Sequence, residues 1–258
     1  MNQESTTVKV ITKEGYSCIL APSFNEAMIT FIIKECIRKE SESPHTAASG
    51  NGRGPMFLFP LSGISESSRS VIVRKGRRGG AVSRLIKSSY FINPFTYPSC
   101  TRMWKEFLCL EKLRRAGVRV PEPAFAAVRK KGVFFYEGFL SLYAIPDAIN
   151  FMDYLEEEKE DSFPVLSIAF EVGLEARKML EAGVLHVDLH LGNVLLGGVG
   201  IYLIDFDNAE YFSVSDRSVA AKKQFLTDRW QRSVQKRILS TSLSSLLIRG
   251  FERGLSCP

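Results

Sequence analysis

The stretch His186-Val-Asp188-Leu-His190-Leu-Gly-Asn193, followed by Ile204-Asp205-Phe206-Asp207, constrains this chain more than any other feature. NVLL (193–196) and IYLI (201–204) bracket the turn GGVG, a pattern that predicts a β-hairpin. An Asp and an Asn then share one tight loop, and a second Asp ends the hairpin. Asp and Asn in loops mostly cap and turn the chain, so the pair alone carries little. Here it sits in an apolar frame of Gly183, Val184 and Leu185 on one side and Val194, Leu195 and Leu196 on the other.

Composition sets the outer limits. The chain has 258 residues, 45% hydrophobic and 24% charged, which supports a folded core and argues against disorder. The length suits one domain of two lobes or two small domains. Five cysteines (Cys18, Cys36, Cys100, Cys109 and Cys257), without paired C-x-x-C spacing, exclude a regular disulfide framework or a zinc ribbon. They favour a reducing compartment. The first residues lack a signal-peptide pattern, and the apolar runs fall far short of the roughly 20 residues of a spanning helix. The expectation is a cytoplasmic protein. A net charge of +6 implies an anionic partner without naming it.

Along the chain, residues 1–22 are weakly structured in pattern. Ser23 and Glu26 form an S-x-x-E capping box, and Ile29, Ile32, Ile33 and Cys36 give an apolar stripe, so 24–39 read as a helix. Residues 41–54 read as a linker. Strands are expected at 56–61, 70–74, 124–129 and 133–140, with a turn at Lys130-Lys131-Gly132. A helix at 101–116 ends in Gly117, with Arg114 and Arg115 in its last turn. After Pro146 the pattern turns helical, at 150–158, 165–182 and through the last fifty residues. The division is an N-terminal extension (1–49), a strand-rich lobe (50–146) and a helical lobe (147–258).

The opening pattern resembles the catalytic loop and metal motif of the protein-kinase-like phosphotransferases. The resemblance implies a two-lobed α+β fold with a small antiparallel-sheet N-lobe and a short helical C-lobe. The spacing suits the chemistry. Asp188 can accept the proton of an attacking hydroxyl, while Asn193 and Asp205 can hold Mg²⁺, which takes few protein carboxylates besides phosphate oxygens. His186 is expected to serve as scaffold. In the first half, Val71-Ile72-Val73-Arg74-Lys75 has the alternation of the strand whose cation grips nucleotide phosphates, with Arg74 in the aligned position and Lys75 beside it. At 100° per residue, Glu106 falls between Leu110 and Leu113, inside an apolar face. A carboxylate there needs a partner, and Arg74 or Lys75 is the candidate. Gly52 and Gly54 in GNGRG could let backbone amides approach phosphates, or could simply belong to a flexible linker.

Further motifs narrow the resemblance: Gly52-Arg53-Gly54, Val73-Arg74, Arg77-Arg78-Gly79-Gly80, Thr101-Arg102, Glu106-Phe107 and Val120-Pro121-x-Pro123. Together with Leu203-Ile204-Asp205-Phe206-Asp207 they resemble the lipopolysaccharide core kinases, and within them the 3-deoxy-D-manno-octulosonic acid (Kdo) kinases, over about residues 50 to 240. That implies ATP-dependent phosphorylation of a Kdo hydroxyl on a lipid A precursor, at the cytoplasmic face of the inner membrane. By position, Asp188 is then the catalytic base, Asn193 and Asp205 the metal ligands, Arg74 a phosphate contact and Glu106 its support. The loop DLHLGN departs from that family and resembles aminoglycoside and choline phosphotransferases instead. A core heptose kinase, a small-molecule kinase of that type and a pseudokinase remain alternatives. A protein kinase is disfavoured, because only 51 residues follow Asp207.

Charge fits a peripheral site on an anionic inner-membrane surface. Arg69 to Lys87 holds seven basic residues and no acidic one, and Arg217 to Arg253 holds nine against two. Solvated basic faces without a partner are the plainer alternative. No nucleic-acid motif is present.

Overall fold

The computed structural model describes residues 8–42, 56–61, 69–76, 90–91, 96–133, 135–157, 162–237 and 240–257. The chain divides into two compact units: Met1–Leu108 with Glu122–Ala144, and Cys109–Pro121 with Ile145–Pro258.

The first unit is built on an antiparallel sheet. Its strands are β1 (Lys9–Lys13), β2 (Tyr16–Leu20), β3 (Met56–Pro60), β4 (Ser70–Lys75), β5 (Tyr90–Phe91), β6 (Pro123–Lys131) and β7 (Phe135–Tyr143). Among the described residues the order is β1-β2-β6-β7-β4-β3, with β5 also on β7. The first two strands correct the sequence expectation of weak structure before residue 22. They form a hairpin, and β2 joins the sheet by pairing Ser17–Leu20 with Phe125–Val128 of β6.

Each face of this sheet carries a helix because side chains alternate along a strand. On one face, α1 (Glu26–Glu42) packs Ile29, Ile32, Ile33 and Cys36 against Val71, Val73, Phe125 and Phe139. On the other, α2 (Arg102–Arg115) packs Met103, Trp104 and Phe107 against Ala126, Val128, Tyr136 and Leu140. The start of α1 differs from the expected box. Asn25 Oδ1 accepts the Ala27 N–H at 3.0 Å, and Glu26 pairs with Lys9 at 2.7 Å. Asn25 and Ser23 are both good caps, and the one adjacent to the apolar stripe prevails.

α2 ends as its sequence requires. Gly117 takes φ +75°, its N–H bonds to the Arg114 carbonyl at 3.0 Å, and the Val118 N–H bonds to the Leu113 carbonyl at 3.0 Å. This is a Schellman cap, and it satisfies carbonyls the helix leaves over.

The second unit is mostly helical: α3 (Phe151–Glu157), α4 (Ser162–Glu181), α5 (Asp216–Gln235) and α6 (Thr241–Ser256). Its strands are short: β8 (Ile149–Asn150), β9 (Val184–Leu185), β10 (Val194–Gly197), β11 (Gly200–Leu203) and β12 (Glu210–Tyr211). The expected hairpin is β10–β11, pairing Val194 with Leu203 through Gly197 with Gly200. β8 adds to its other edge, and β9 pairs with β12. α4 and α6 lie unusually close, at Gly173 on one and Gly250 and Gly254 on the other. The α+β class expected from the sequence is the class observed.

Candidate active site

The second unit gathers Asp188, Asn193 and Asp205 by backbone means. β9 ends at Leu185, and the chain then turns through His186 to Asn193, closing in a 3-10 turn over Leu191–Asn193. Asn193 is 1% exposed, and its Nδ2 donates to the Asp188 carbonyl at 3.0 Å. That bond turns Oδ1, the atom a hard cation would take, to the opposite side of the amide. The Ile204 N–H bonds to the Asn193 carbonyl at 3.0 Å, which brings the end of β11, and so Asp205, beside the loop. Asp205 sits at φ +71°. Few residues other than glycine accept the left-handed region, although Asp is among those enriched there. The Arg119 carbonyl secures the hairpin by accepting the Leu203 N–H at 3.0 Å. Asn150 Nδ2 secures the loop from the other side by donating to the Gly192 carbonyl at 3.0 Å.

His186 is the internal brace. It is 2% exposed, its Nε2 lies 2.9 Å from the Ile204 carbonyl oxygen, and its Nδ1 accepts the Asp188 N–H at 3.3 Å. A carbonyl can only accept, so Nε2 carries the proton and Nδ1 is bare: the ring is neutral. Burial drives its pKa down to about 4, with the bond to Ile204 opposing that shift. The scaffold role expected for His186 matches this geometry, and its ring also packs on Phe206 at 4.7 Å between centroids.

A pH dependence follows. An unfolded histidine titrates near 6.5. Between about 6.5 and about 4 the unfolded chain therefore binds a proton that folded His186 refuses. Its contribution to stability is fully present above the upper value and is lost as pH falls through the window. The slope from this group approaches about 1.4 kcal/mol per pH unit. Urea unfolding at about pH 7 and about pH 5 should show a smaller difference for His186→Gln than for the wild type. An equal difference would contradict the assignment.

Asp188 itself is half exposed. One carboxylate oxygen is ion-paired with Arg229 of α5, and the other lies 3.9 Å from His190 Nε2. His190 also caps the 3-10 turn, its Nδ1 accepting the Gly192 N–H at 3.0 Å. Arg229 was not singled out by sequence reasoning, which counted it only within a basic C-terminal stretch.

In the first unit, Arg74 on β4 pairs with Glu106 on α2, and Glu106 is 2% exposed. Lys75, the next residue, points to the other face of the sheet. There its Nζ lies 4.0 Å from Glu137, which also receives Lys131 at 2.9 Å, Arg129 at 2.5 Å and the Tyr16 hydroxyl at 3.0 Å. Burial opposes ionisation of Glu137, and these donors outweigh it and hold its carboxyl below the usual range. The alternation of β4 thus separates the two cations, and Glu106 takes Arg74. Arg69, counted in the basic cluster, bonds Glu122 at 2.5 Å and lies over the Tyr143 ring. Gly52, Gly54 and Arg77-Arg78-Gly79-Gly80 lie outside the described residues, as do Arg84 and Lys87.

The donor set suits magnesium. Among the described residues no three His, Cys, Asp or Glu side chains converge as a metal cage. One carboxylate and one amide oxygen fit an ion that completes its shell with phosphate and water.

The family model described as "Lipopolysaccharide kinase (Kdo/WaaP) family" matches residues 60–237. A 3-deoxy-D-manno-octulosonic acid kinase of Vibrio cholerae serotype O1 is 30% identical over 229 residues, covering 87% of this chain and 91% of that protein. Its namesake from Vibrio vulnificus is 32% identical over 211 residues, covering 79% of this chain and 82% of that one. A solved structure, "WaaP in complex with acyl carrier protein", is 16% identical with a TM-score of 0.48, covering 80% of this chain and 77% of that one. With a matching model over more than half its length and relatives aligned along most of theirs, this chain belongs to the lipopolysaccharide kinase (Kdo/WaaP) family and is a phosphotransferase acting on a hydroxyl group.

Proposed function

We propose that this chain transfers the γ-phosphoryl group of ATP to a hydroxyl of Kdo on a lipid A precursor. The observation that carries the reading is the grouping of Asp188, Asn193 and Asp205 on one braced loop and hairpin, in a chain alignable along most of its length with named Kdo kinases. In this reading the acceptor oxygen attacks the γ-phosphorus and the bond to the ADP oxygen breaks. The proton of the acceptor hydroxyl passes to the Asp188 carboxylate. Asp205 and Asn193 would hold Mg²⁺, which neutralises phosphate charge when bound. Arg74, held by Glu106, would contact the nucleotide phosphates. A guanidinium offers a fixed fork where a lysine offers a point charge. Transfer of this kind is accelerated mostly by positioning and fixed charge.

We place the reaction at an anionic membrane surface. No helix among the described residues is long and apolar enough to cross a membrane. Arg217, Arg232, Lys236, Arg237, Arg249 and Arg253 are exposed on α5, α6 and the link between them. Each such cation near an anionic leaflet contributes about 1 kcal/mol.

The test is label transfer from γ-labelled ATP with Mg²⁺ to three acceptors: Kdo-lipid A precursor, a heptosylated core and an aminoglycoside. The expected result is a kcat/KM for the Kdo precursor at least about 100-fold above the other two. Preference for the heptosylated core or the aminoglycoside would replace this reading. Nucleotide binding without transfer to any of them would make the chain a pseudokinase.

A further inference from the structure

We propose that Arg229 is a positioning residue for the transfer. It holds the Asp188 carboxylate in the orientation from which it takes the proton of the acceptor hydroxyl. The inference rests on the reading of Asp188 as the acceptor-side base and assigns that base its support.

Three observations converge. The first is the contact itself: the Arg229 guanidinium is ion-paired with Asp188 Oδ1, although the carboxylate is 50% exposed and Arg229 31% exposed. An ion pair this open adds little to stability, so its consequence lies in where it puts the carboxylate. One oxygen is engaged by the arginine, which fixes the direction of the other.

The second is the rigidity of the support. α5 is anchored by Leu226, Trp230 and Val234, all fully buried. The Trp230 indole N–H donates to the Leu247 carbonyl at 3.0 Å, and its ring stacks on Phe251 at 4.7 Å. One turn beyond Arg229, Ser233 Oγ accepts the Leu191 N–H at 3.2 Å. Residues four apart share a helix face, so a single stripe of α5 grips the loop at Asp188 and again at Leu191.

The third is that Arg229 Nε is shut away from solvent and has no acceptor. Leaving a buried donor unmade is unfavourable. The guanidinium is therefore set to serve the carboxylate at the expense of its own donors. A planar guanidinium on a packed helix holds the one carboxylate oxygen it meets more firmly than a flexible ammonium does, and misplacement of a reacting group by about 1 Å can cost about 100-fold in rate.

The experiment compares full-length wild type, Arg229→Gln, Arg229→Lys, Asp188→Asn and the double variant Asp188→Asn/Arg229→Gln. It measures kcat and KM with the Kdo-lipid A precursor, Kd for a non-hydrolysable ATP analogue, and Tm. Arg229→Gln should lower kcat about 100-fold, with KM for ATP and the analogue Kd within about 3-fold of wild type. Arg229→Lys should recover about 10-fold of that loss. The double variant should be no slower than Asp188→Asn alone, because the two groups act as a unit. The inference is overturned by a Gln variant within about 3-fold of wild-type kcat, by a Lys variant no better than Gln, or by losses that simply add in the double variant. A fall in analogue affinity and Tm in step with kcat would likewise overturn it, because the role would then be structural. If Asp188→Asn itself keeps full activity, the underlying reading of Asp188 fails instead, and the two failures are distinguishable.

Discussion

Asp188→Asn is expected to lower kcat for phosphoryl transfer by about 10²–10⁴-fold while leaving nucleotide affinity and thermal stability near wild type. The geometry separates these effects. The Asp188 backbone carries the loop, its carbonyl accepting from Asn193 Nδ2 and its N–H donating to His186 Nδ1. The side chain is half exposed and makes no contact the fold depends on. Asparagine keeps the shape and the backbone bonds and removes only the basic oxygen. The amide of the new residue can still accept from Arg229, so α5 and the loop should stay in register. Steady-state kinetics with isothermal titration of a nucleotide analogue decide the matter. Retained turnover would exclude Asp188 as base. Lost nucleotide binding would show that the residue supports the nucleotide site rather than the acceptor.

Gly254→Ala should cost stability on the order of 3 kcal/mol, a fall in Tm of about 6–12 °C for a chain of this size. Two effects oppose each other. Alanine is the better helix former by about 1 kcal/mol. Against that, a Cβ on Gly254 would stand 2.0 Å from the Phe170 carbonyl oxygen, 2.8 Å from the Leu174 nitrogen and 3.0 Å from the Gly173 Cα. All three are backbone atoms of α4, so no side chain can swing aside and the helices must separate. Gly173→Ala meets the reciprocal obstacle, 2.2 Å from the Phe251 carbonyl oxygen. Since both substitutions push at one contact, their combination should cost less than the sum. Gly198, whose added Cβ would meet nothing within 4 Å, is the control. Calorimetry showing no loss for Gly254→Ala would mean that α4 and α6 do not approach this closely.

How much of this was legible in the sequence depended on distance along the chain. Asp188, Asn193 and Asp205 sit within one loop and one hairpin, so their spacing encodes their proximity. Arg74 and Glu106 are farther apart, yet each announces itself through periodicity, Arg74 on an alternating strand and Glu106 inside an apolar helical face. The alternation even explains why Arg74 and not Lys75 meets Glu106, a choice the sequence reading left open. What escaped was tertiary. β1 (KVITK) has no strict alternation, with Val10 and Ile11 adjacent, and acquires its place only by pairing through β2 with β6, more than a hundred residues away. Context of that kind decides strands more than propensity does. Arg229 escaped for the same reason. Counted along the chain it is one cation in a basic helix, and only the folding of α5 against the loop brings it to Asp188. Likewise the Glu137 cluster draws Tyr16, Lys75, Arg129 and Lys131 from three strands onto one carboxylate.

The central claim is that the phosphoryl group lands on Kdo. The product formed by purified chain, ATP, Mg²⁺ and Kdo-lipid A precursor tests it most directly, by tandem mass spectrometry and phosphorus NMR of the isolated lipid. The account predicts one added phosphate, carried by the Kdo fragment, and far less of that product in the same time with Asp188→Asn. A phosphate on the glucosamine backbone, or ATP consumed without a phosphorylated lipid, would contradict it.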